Sequence, residues 1–203
     1  SRESSDYAYL HFGLYEIRFQ RGTYSRTRVG EQKLKKEDIM KRIAAFEKVS
    51  EERFLADGGN SENYDKIVLP VRATAGSAGY DIVTPQDFTL KPGESIRIPT
   101  GIRVRMEDGW VFQIYPRSGL GYKYRVQLDN TVGIIDSDYY FSDNEGHIQV
   151  KITNDGKEGK TLCLKSGERF CQGIFTEYGI TYDDEATAVR NGGFGSTGER
   201  INK

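Results

Sequence analysis

Ile148-Gln149-Val150-Lys151-Ile152-Thr153 runs directly into Asn154-Asp155-Gly156. Apolar residues fill every second position, the period of a strand with one face on a core and the other toward solvent. Ile102-Arg103-Val104-Arg105-Met106 repeats the pattern and ends in Glu107-Asp108-Gly109. Working outward, Lys91-Pro92-Gly93-Glu94 and Lys165-Ser166-Gly167-Glu168 separate further short apolar runs. Glycine, proline and short polar side chains in such clusters are turn chemistry. From Tyr64 onward, many short strands at close spacing predict an all-β sandwich or a jelly-roll-like barrel.

Upstream the reading changes. Residues 1 to about 38 show scattered aromatic and basic residues, then the charged run Gly30-Glu31-Gln32-Lys33-Leu34-Lys35-Lys36-Glu37-Asp38, and are expected to be poorly ordered. Met40 opens a more regular segment, and the native chain is expected to begin there, the preceding residues being an extension. Ile43 to Val49 reads as a strand, or with Leu34, Ile39, Ile43 and Phe46 as a longer amphipathic helix; we favour the strand. Ser50 to Gly58 predicts one short helix, with Ser50 as N-cap, acids in the first turn and Gly58 at the left-handed C-terminal position. Gly58 to Glu62 is read as a linker. The resulting division is an extension over 1–39, a leading strand and helix over 40–63, a β domain over 64–189 and a glycine-rich tail over 190–203.

The chain has 203 residues with 29 basic and 30 acidic side chains. A domain of about 150 residues buries roughly two-thirds of its unfolded surface, so a core forms without staples. The near balance of charge leaves no polycationic face for a long nucleic acid. No stretch matches a membrane span or a signal peptide, and a cytoplasmic location is expected. Cys163 and Cys171 have no metal-ligand spacing and are expected to be buried thiols.

With only His11 and His147 in the chain, histidine cages and Ser/His/Asp arrangements are nearly excluded by count. A general base is therefore a carboxylate. In Gly133-Ile134-Ile135-Asp136-Ser137-Asp138-Tyr139 an apolar strand ends in two acids on one face, able to take a proton from water or help hold a metal shell; acids after a strand are also ordinary turn formers. Pro116-Arg117-Ser118-Gly119-Leu120 reads as an anion nest or as a tight turn. Gly192-Gly193-Phe194-Gly195-Ser196-Thr197-Gly198 pairs backbone N–H groups for phosphate with one aromatic for stacking, between Arg190 and Arg200; a floppy terminus is the plain alternative.

Taken together and in order, these segments resemble the five motifs of the trimeric dUTPase family. The first is Ala78-Gly79-Tyr80-Asp81-Ile82, and the second Pro116 to Leu120. The third runs from Asn130 to Tyr139, the fourth is Glu168-Arg169-Phe170-Cys171-Gln172, and the fifth is the Gly192 to Gly198 tail. The resemblance implies a distorted jelly-roll or β-clip barrel with a short N-terminal helix and a mobile tail. It implies a dUTP diphosphatase that makes dUMP and pyrophosphate, limiting uracil in DNA and supplying dUMP for dTMP synthesis. In similar enzymes the residue matching Asp136 activates the water that attacks the α-phosphorus. Asn130 with the backbone of Gly133 and Ile135 would read uracil, and Tyr139 would pack under the deoxyribose and exclude a 2′-hydroxyl. Arg117, Ser118, Gly119 and Gln172 match substrate-binding residues at the phosphate chain, Arg117 and Arg169 would also pair with acids such as Asp81, and Asp138 would support Asp136. Phe194 would stack on uracil, while Arg190, Gly195, Ser196 and Thr197 would grip the phosphates. Mg²⁺ is expected on the triphosphate and water with no direct protein cage, and a homotrimer with shared sites is expected.

Three departures from the family pattern stand out. Tyr140-Phe141-Ser142-Asp143-Asn144 intervenes before Glu145-Gly146-His147, only Asn191 separates Arg190 from the glycine pair, one residue fewer than usual, and the segment before Leu69 is longer than compact members need. A related dCTP deaminase with the same fold would carry a glutamate base where this chain has Asp136. A trimer without activity, serving as a binding module, is the other alternative.

Overall fold

A computed structural model of the chain describes residues 8–12, 15–20, 23–28, 41–188, 190 and 192. The chain divides into two units, Ser1–Arg42 and Ile43–Lys203. In the first, β1 (Ala8–Phe12), β2 (Tyr15–Gln20) and β3 (Thr23–Arg28) form an antiparallel meander. The expected lack of order does not hold for these three stretches. Phe12 pairs with Tyr15 and Gln20 with Thr23 at the ends of their ladders. Tyr15, Ile17 and Phe19 alternate with Glu16, Arg18 and Gln20, and Ala8, Leu10 and Phe12 alternate with Tyr9 and His11, a period that is short and interrupted at residues 13–14 and easily lost beside the charged run that follows.

The second unit opens with β4 (Ala44–Lys48), which settles the choice between strand and helix at this point. Helix α1 (Glu51–Ala56) follows, with the Ser50 side chain accepting from Arg53 N–H and Gly58 at φ 96°. The expected linker holds a second short helix, α2 (Ser61–Tyr64), because the Asn60 side chain caps Asn63 N–H. The domain then runs through β5 (Val71–Arg72), β6 (Tyr80–Val83), β7 (Phe88–Leu90), β8 (Ser95–Pro99) and β9 (Ile102–Met106). Next come β10 (Trp110–Pro116), α3 (Ser118–Tyr124), β11 (Val126–Leu128), β12 (Gly133–Ile135) and a 3₁₀ turn, Ser137–Phe141. It closes with β13 (Gln149–Asn154), β14 (Leu162–Leu164) and β15 (Arg169–Glu177).

All pairings are antiparallel: a five-stranded sheet β12-β10-β15-β6-β5, a three-stranded sheet β11-β13-β8, and the pairs β14-β7 and β4-β9. This is the jelly-roll-like all-β fold expected from the punctuation. Burial follows the alternation read from the sequence, with Val150, Ile152 and Asn154 covered and Lys151 exposed between them. Inward residues of every sheet, among them Ile98, Val104, Phe112, Val150, Leu162 and Phe170, join one buried cluster. Each such side chain contributes about 1.5–3 kcal/mol of burial. Asn154 is buried without penalty: Nδ2 donates to Leu90 O and Lys160 O, both at 3.0 Å, and Oδ1 accepts from Gly156 N–H at 3.1 Å. Cys171 is buried, but Cys163 is exposed, since it takes the outward position between Leu162 and Leu164. Among the described residues no helix is long and apolar enough to cross a membrane.

An aromatic group seals the five-stranded sheet, with the rings of Phe112 and Phe175 4.8 Å apart and Phe46 5.3 Å from Phe112. Gly173 lies opposite Ile114 on β15, and a Cβ there would come 2.0 Å from Phe112 Cζ. Gly173→Ala is therefore predicted to lower unfolding free energy by about 1–3 kcal/mol, as overpacking does. Urea unfolding at fixed chain concentration checks it.

Candidate active site

The long strand β10 organises the candidate residues because it pairs with β12 on one side and β15 on the other. Toward its start, Phe112 faces Ile135, so Asp136 leaves β12 beside Val111 and both line a cleft of about 470 Å³ with Asp138 and Arg190. The chain then tightens into the 3₁₀ turn, with Tyr139 N–H donating to Asp136 O at 3.2 Å. Both acids stay half-exposed and share one cation. Arg190 Nε donates to Asp138 Oδ1 at 2.9 Å, and its NH2 donates to Asp136 Oδ2.

Beside this cleft lies a cavity of about 540 Å³ lined by Asn130, Gly133, Ile135, Tyr139 and Arg190 of the predicted set. The Tyr139 ring is buried, 5.9 Å from the Arg190 guanidinium. Its hydroxyl donates to His147 O at 2.9 Å and accepts from Asn144 Nδ2 at 2.7 Å, and burial pushes its pKa up. Thr131 adopts φ 68° while Val132 N–H reaches back to Asn130 O at 2.7 Å. A β-branched residue in such a γ-turn is strained, and strain of this kind concentrates at ligand sites. Sequence reading missed the rest of the wall, including Arg97, Leu128 and Gln149. Gln149 reads as the solvent side of an alternating strand, yet its Oε1 is buried without a hydrogen-bond partner.

The other predicted residues gather at the far end of β10. Asp81 is buried and shared by two arginines, with Arg117 Nε at 3.1 Å and Arg169 NH1 at 3.4 Å. Register places Gln172 opposite both Asp81 and Tyr115, and its Nε2 donates to Pro116 O at 3.4 Å. Gly79 packs against it so closely that a Cβ would sit 2.9 Å from Gln172 Oε1. Ser118 and Gly119 are exposed at the start of α3, where Arg117 and Ser118 border a groove of about 820 Å³. The predicted residues thus form two groups separated by the Val111–Pro116 span, roughly 17 Å at the rise of an antiparallel strand. Phe194, Gly195, Ser196 and Thr197 lie outside the described residues.

The family model for dUTPase matches residues 65–198. The chain belongs to the dUTPase family. It is 42% identical over 135 residues to the deoxyuridine 5'-triphosphate nucleotidohydrolase of Lactococcus lactis, covering 65% of this chain and 89% of that protein. The corresponding enzyme of Paraburkholderia xenovorans is 41% identical over 139 residues, covering 64% and 89%. Among solved structures, the dUTPase of Streptococcus mutans superposes with a TM-score of 0.54 at 34% identity, covering 67% of this chain and 97% of its own. As a dUTPase the chain is a hydrolase acting on a phosphoric anhydride, and the motif resemblance identified the family correctly.

Behind the Tyr139 wall, this dUTPase buries His147 completely. His147 Nε2 accepts from Gly101 N–H at 2.9 Å, so its proton sits on Nδ1, which donates to Asp57 Oδ2 at 2.6 Å. Burial drives the His147 pKa below its ordinary 6.5, against the pull of Asp57. The unfolded chain then binds more protons than the folded one near pH 6, so the stability from neutral His147 is complete above 6.5 and is lost as pH falls below it. Urea unfolding at pH 7.5, 6.5 and 5.5 is predicted to show falling stability, with a smaller slope in His147→Gln; an identical slope would exclude His147 as the source.

Proposed function

We propose that this dUTPase splits dUTP into dUMP and pyrophosphate by in-line attack of a water that Asp136 deprotonates. The observation that carries the reading is that Asp136 lines the cleft next to the cavity formed by Asn130, Gly133, Ile135 and Tyr139, with Ile134 and Arg190 common to both. A base bound by Asn130 and the neighbouring backbone, with its sugar against Tyr139, directs the α-phosphorus toward Asp136. The water oxygen bonds to that phosphorus, its proton passes to the Asp136 carboxylate, and the bridging oxygen departs with the β-phosphorus as pyrophosphate. Arg190 pairs with Asp136 and Asp138, and the phosphates of dUTP offer this guanidinium a stronger, bidentate partner. Moving it onto them frees Asp136 to act as base. Asp138 steadies the same arginine, and Phe194, Gly195, Ser196 and Thr197 complete the closure over uracil and phosphates.

Among the described residues no group of three or more His, Cys, Asp or Glu side chains is placed to hold a metal. The half-exposed carboxylates of Asp136 and Asp138 fit a Mg²⁺ carried mostly by the triphosphate oxygens and water. When bound, the ion supplies charge neutralisation on the leaving pyrophosphate.

The spacing along β10 supports a homotrimer with shared sites. Ser118, Gly119 and Gln172 are too far along the strand to reach a triphosphate whose α-phosphorus lies at Asp136 of the same chain. Phosphate contacts of this kind therefore come from a second copy. Arg117 and Arg169 then act through Asp81, shaping the phosphate loop while paired to that carboxylate. The product dUMP serves dTMP synthesis, and loss of dUTP limits uracil entry into DNA.

Two experiments test these points. Asp136→Asn is predicted to lower turnover of dUTP by roughly 10²–10⁴-fold with dUTP affinity retained, read as pyrophosphate release and by calorimetry; full turnover would remove Asp136 from the role. Mixed trimers of Asp136→Asn and Ser118→Asp chains, refolded together, are predicted to exceed the activity of either parent. Mixtures no more active than the parents would place each site within one chain.

A further inference from the structure

Two of the departures from the family pattern, the leading segment and the Tyr140–Asn144 insertion, meet in space. Helix α1 and its flanks precede the matched residues 65–198, while Tyr140 to His147 follows the third motif. A capping box normally takes its carboxylate from the third helical residue, which here is Arg53. Glu145, 95 positions away, supplies it instead: Ser50 N–H donates to Oε2 at 2.8 Å and Ser50 Oγ–H to Oε1 at 2.6 Å. Burial alone would raise the Glu145 pKa, and these two bonds overturn that and hold it below the ordinary value. At the other end of the helix, the C-cap Asp57 accepts from His147. Phe54 is fully buried between these ends, its ring 6.2 Å from that of His147. In the flanking strand, Glu47 accepts from the Tyr140 hydroxyl at 2.8 Å.

The same turn holds Tyr139. The phenol lies between His147 O and Asn144 Nδ2, and its acceptor and donor are both positioned by residues 144–147. Gly146, at φ 67°, leaves no room for a Cβ, which would fall 2.7 Å from Tyr140 Cα and 2.8 Å from Tyr139 O. Displacement of the turn is therefore transmitted to the Tyr139 backbone and ring. None of Ser50, Asp57, Glu145 or His147 lines the cavity.

We propose that Ser50, Asp57, Glu145 and His147 form a brace that fixes the Tyr139 ring against the sugar position, and that this brace sets the discrimination between dUTP and UTP. The proposal rests on the reading of Tyr139 as the surface beneath the deoxyribose. These four are positioning residues: they hold a supporting shell within the tolerance that recognition of one missing oxygen requires.

The test measures kcat/KM for dUTP and for UTP in the full-length chain, in Asp57→Asn, Ser50→Ala and Tyr139→Leu, with oligomeric state and thermal midpoint followed in parallel. Asp57→Asn and Ser50→Ala are expected to narrow the dUTP:UTP ratio by about tenfold. The loss should appear chiefly as better use of UTP, with kcat for dUTP little changed. A wild-type ratio in both folded variants, or an equal loss toward both substrates that follows the thermal midpoint, overturns the brace. Tyr139→Leu separates the two levels. If it collapses the ratio while the brace variants do not, the brace fails and the reading of Tyr139 stands; if it keeps the wild-type ratio, that reading fails and the brace with it.

Discussion

The backbone ladder of Trp110–Pro116 with β12 on one flank and β15 on the other is the constraint on which the rest depends. Seven residues of extended chain fix where the third motif leaves the sheet and where the second and fourth sit, and no side-chain adjustment can bring those two ends together. Gly133 is held against Ile114, with only 3.1 Å between a would-be Cβ and Ile114 Cβ, and Gly173 makes space for the Phe112 ring. Packing of this central strand therefore determines the register of both its neighbours. A one-residue slip would send Asp136 to the opposite face of the sheet.

Polar chemistry at the two ends of that strand takes different forms. At the far end a buried carboxylate, Asp81, satisfies two arginines, an arrangement that shapes a loop and stays put. At the near end Asp136 and Asp138 are half-exposed and share a single arginine that stands at the edge of the described chain. The first is costly to lose because removal of both arginines strands the buried Asp81 charge. The second is partly open to solvent, with the Asp136 and Asp138 side chains 44% and 53% exposed, so Arg190 is more readily exchanged onto another anion.

The segments outside the family pattern answer to the same logic. Helix α1 is too short to persist alone, and its N-cap carboxylate and C-cap partner both come from the turn after Tyr139. The turn in turn depends on Gly146 and on a buried neutral His147. These bonds join the two segments, and residues 144–147 of the second hold the phenol of Tyr139, a buried aromatic of the cavity wall.

What the sequence determined by itself is what local chemistry controls. The period of two in Ile148 to Thr153, the turn residues after it, the cap at Ser50 and the left-handed Gly58 each act over a few positions, so each is legible without the fold. The five ordered motifs carried the family in the same way. The leading meander was harder to read because its alternation comes in runs of five or six residues and charges follow it, and Cys163 was misplaced because a three-residue strand shows no reliable inward face. Only the tertiary structure decided that Arg190 pairs with Asp136, that Gln149 turns a buried oxygen into the cavity wall, and that Glu145 caps a helix 95 residues earlier. Those contacts join residues far apart in the chain, and their partners are chosen by the packing of sheets and not by any spacing along it.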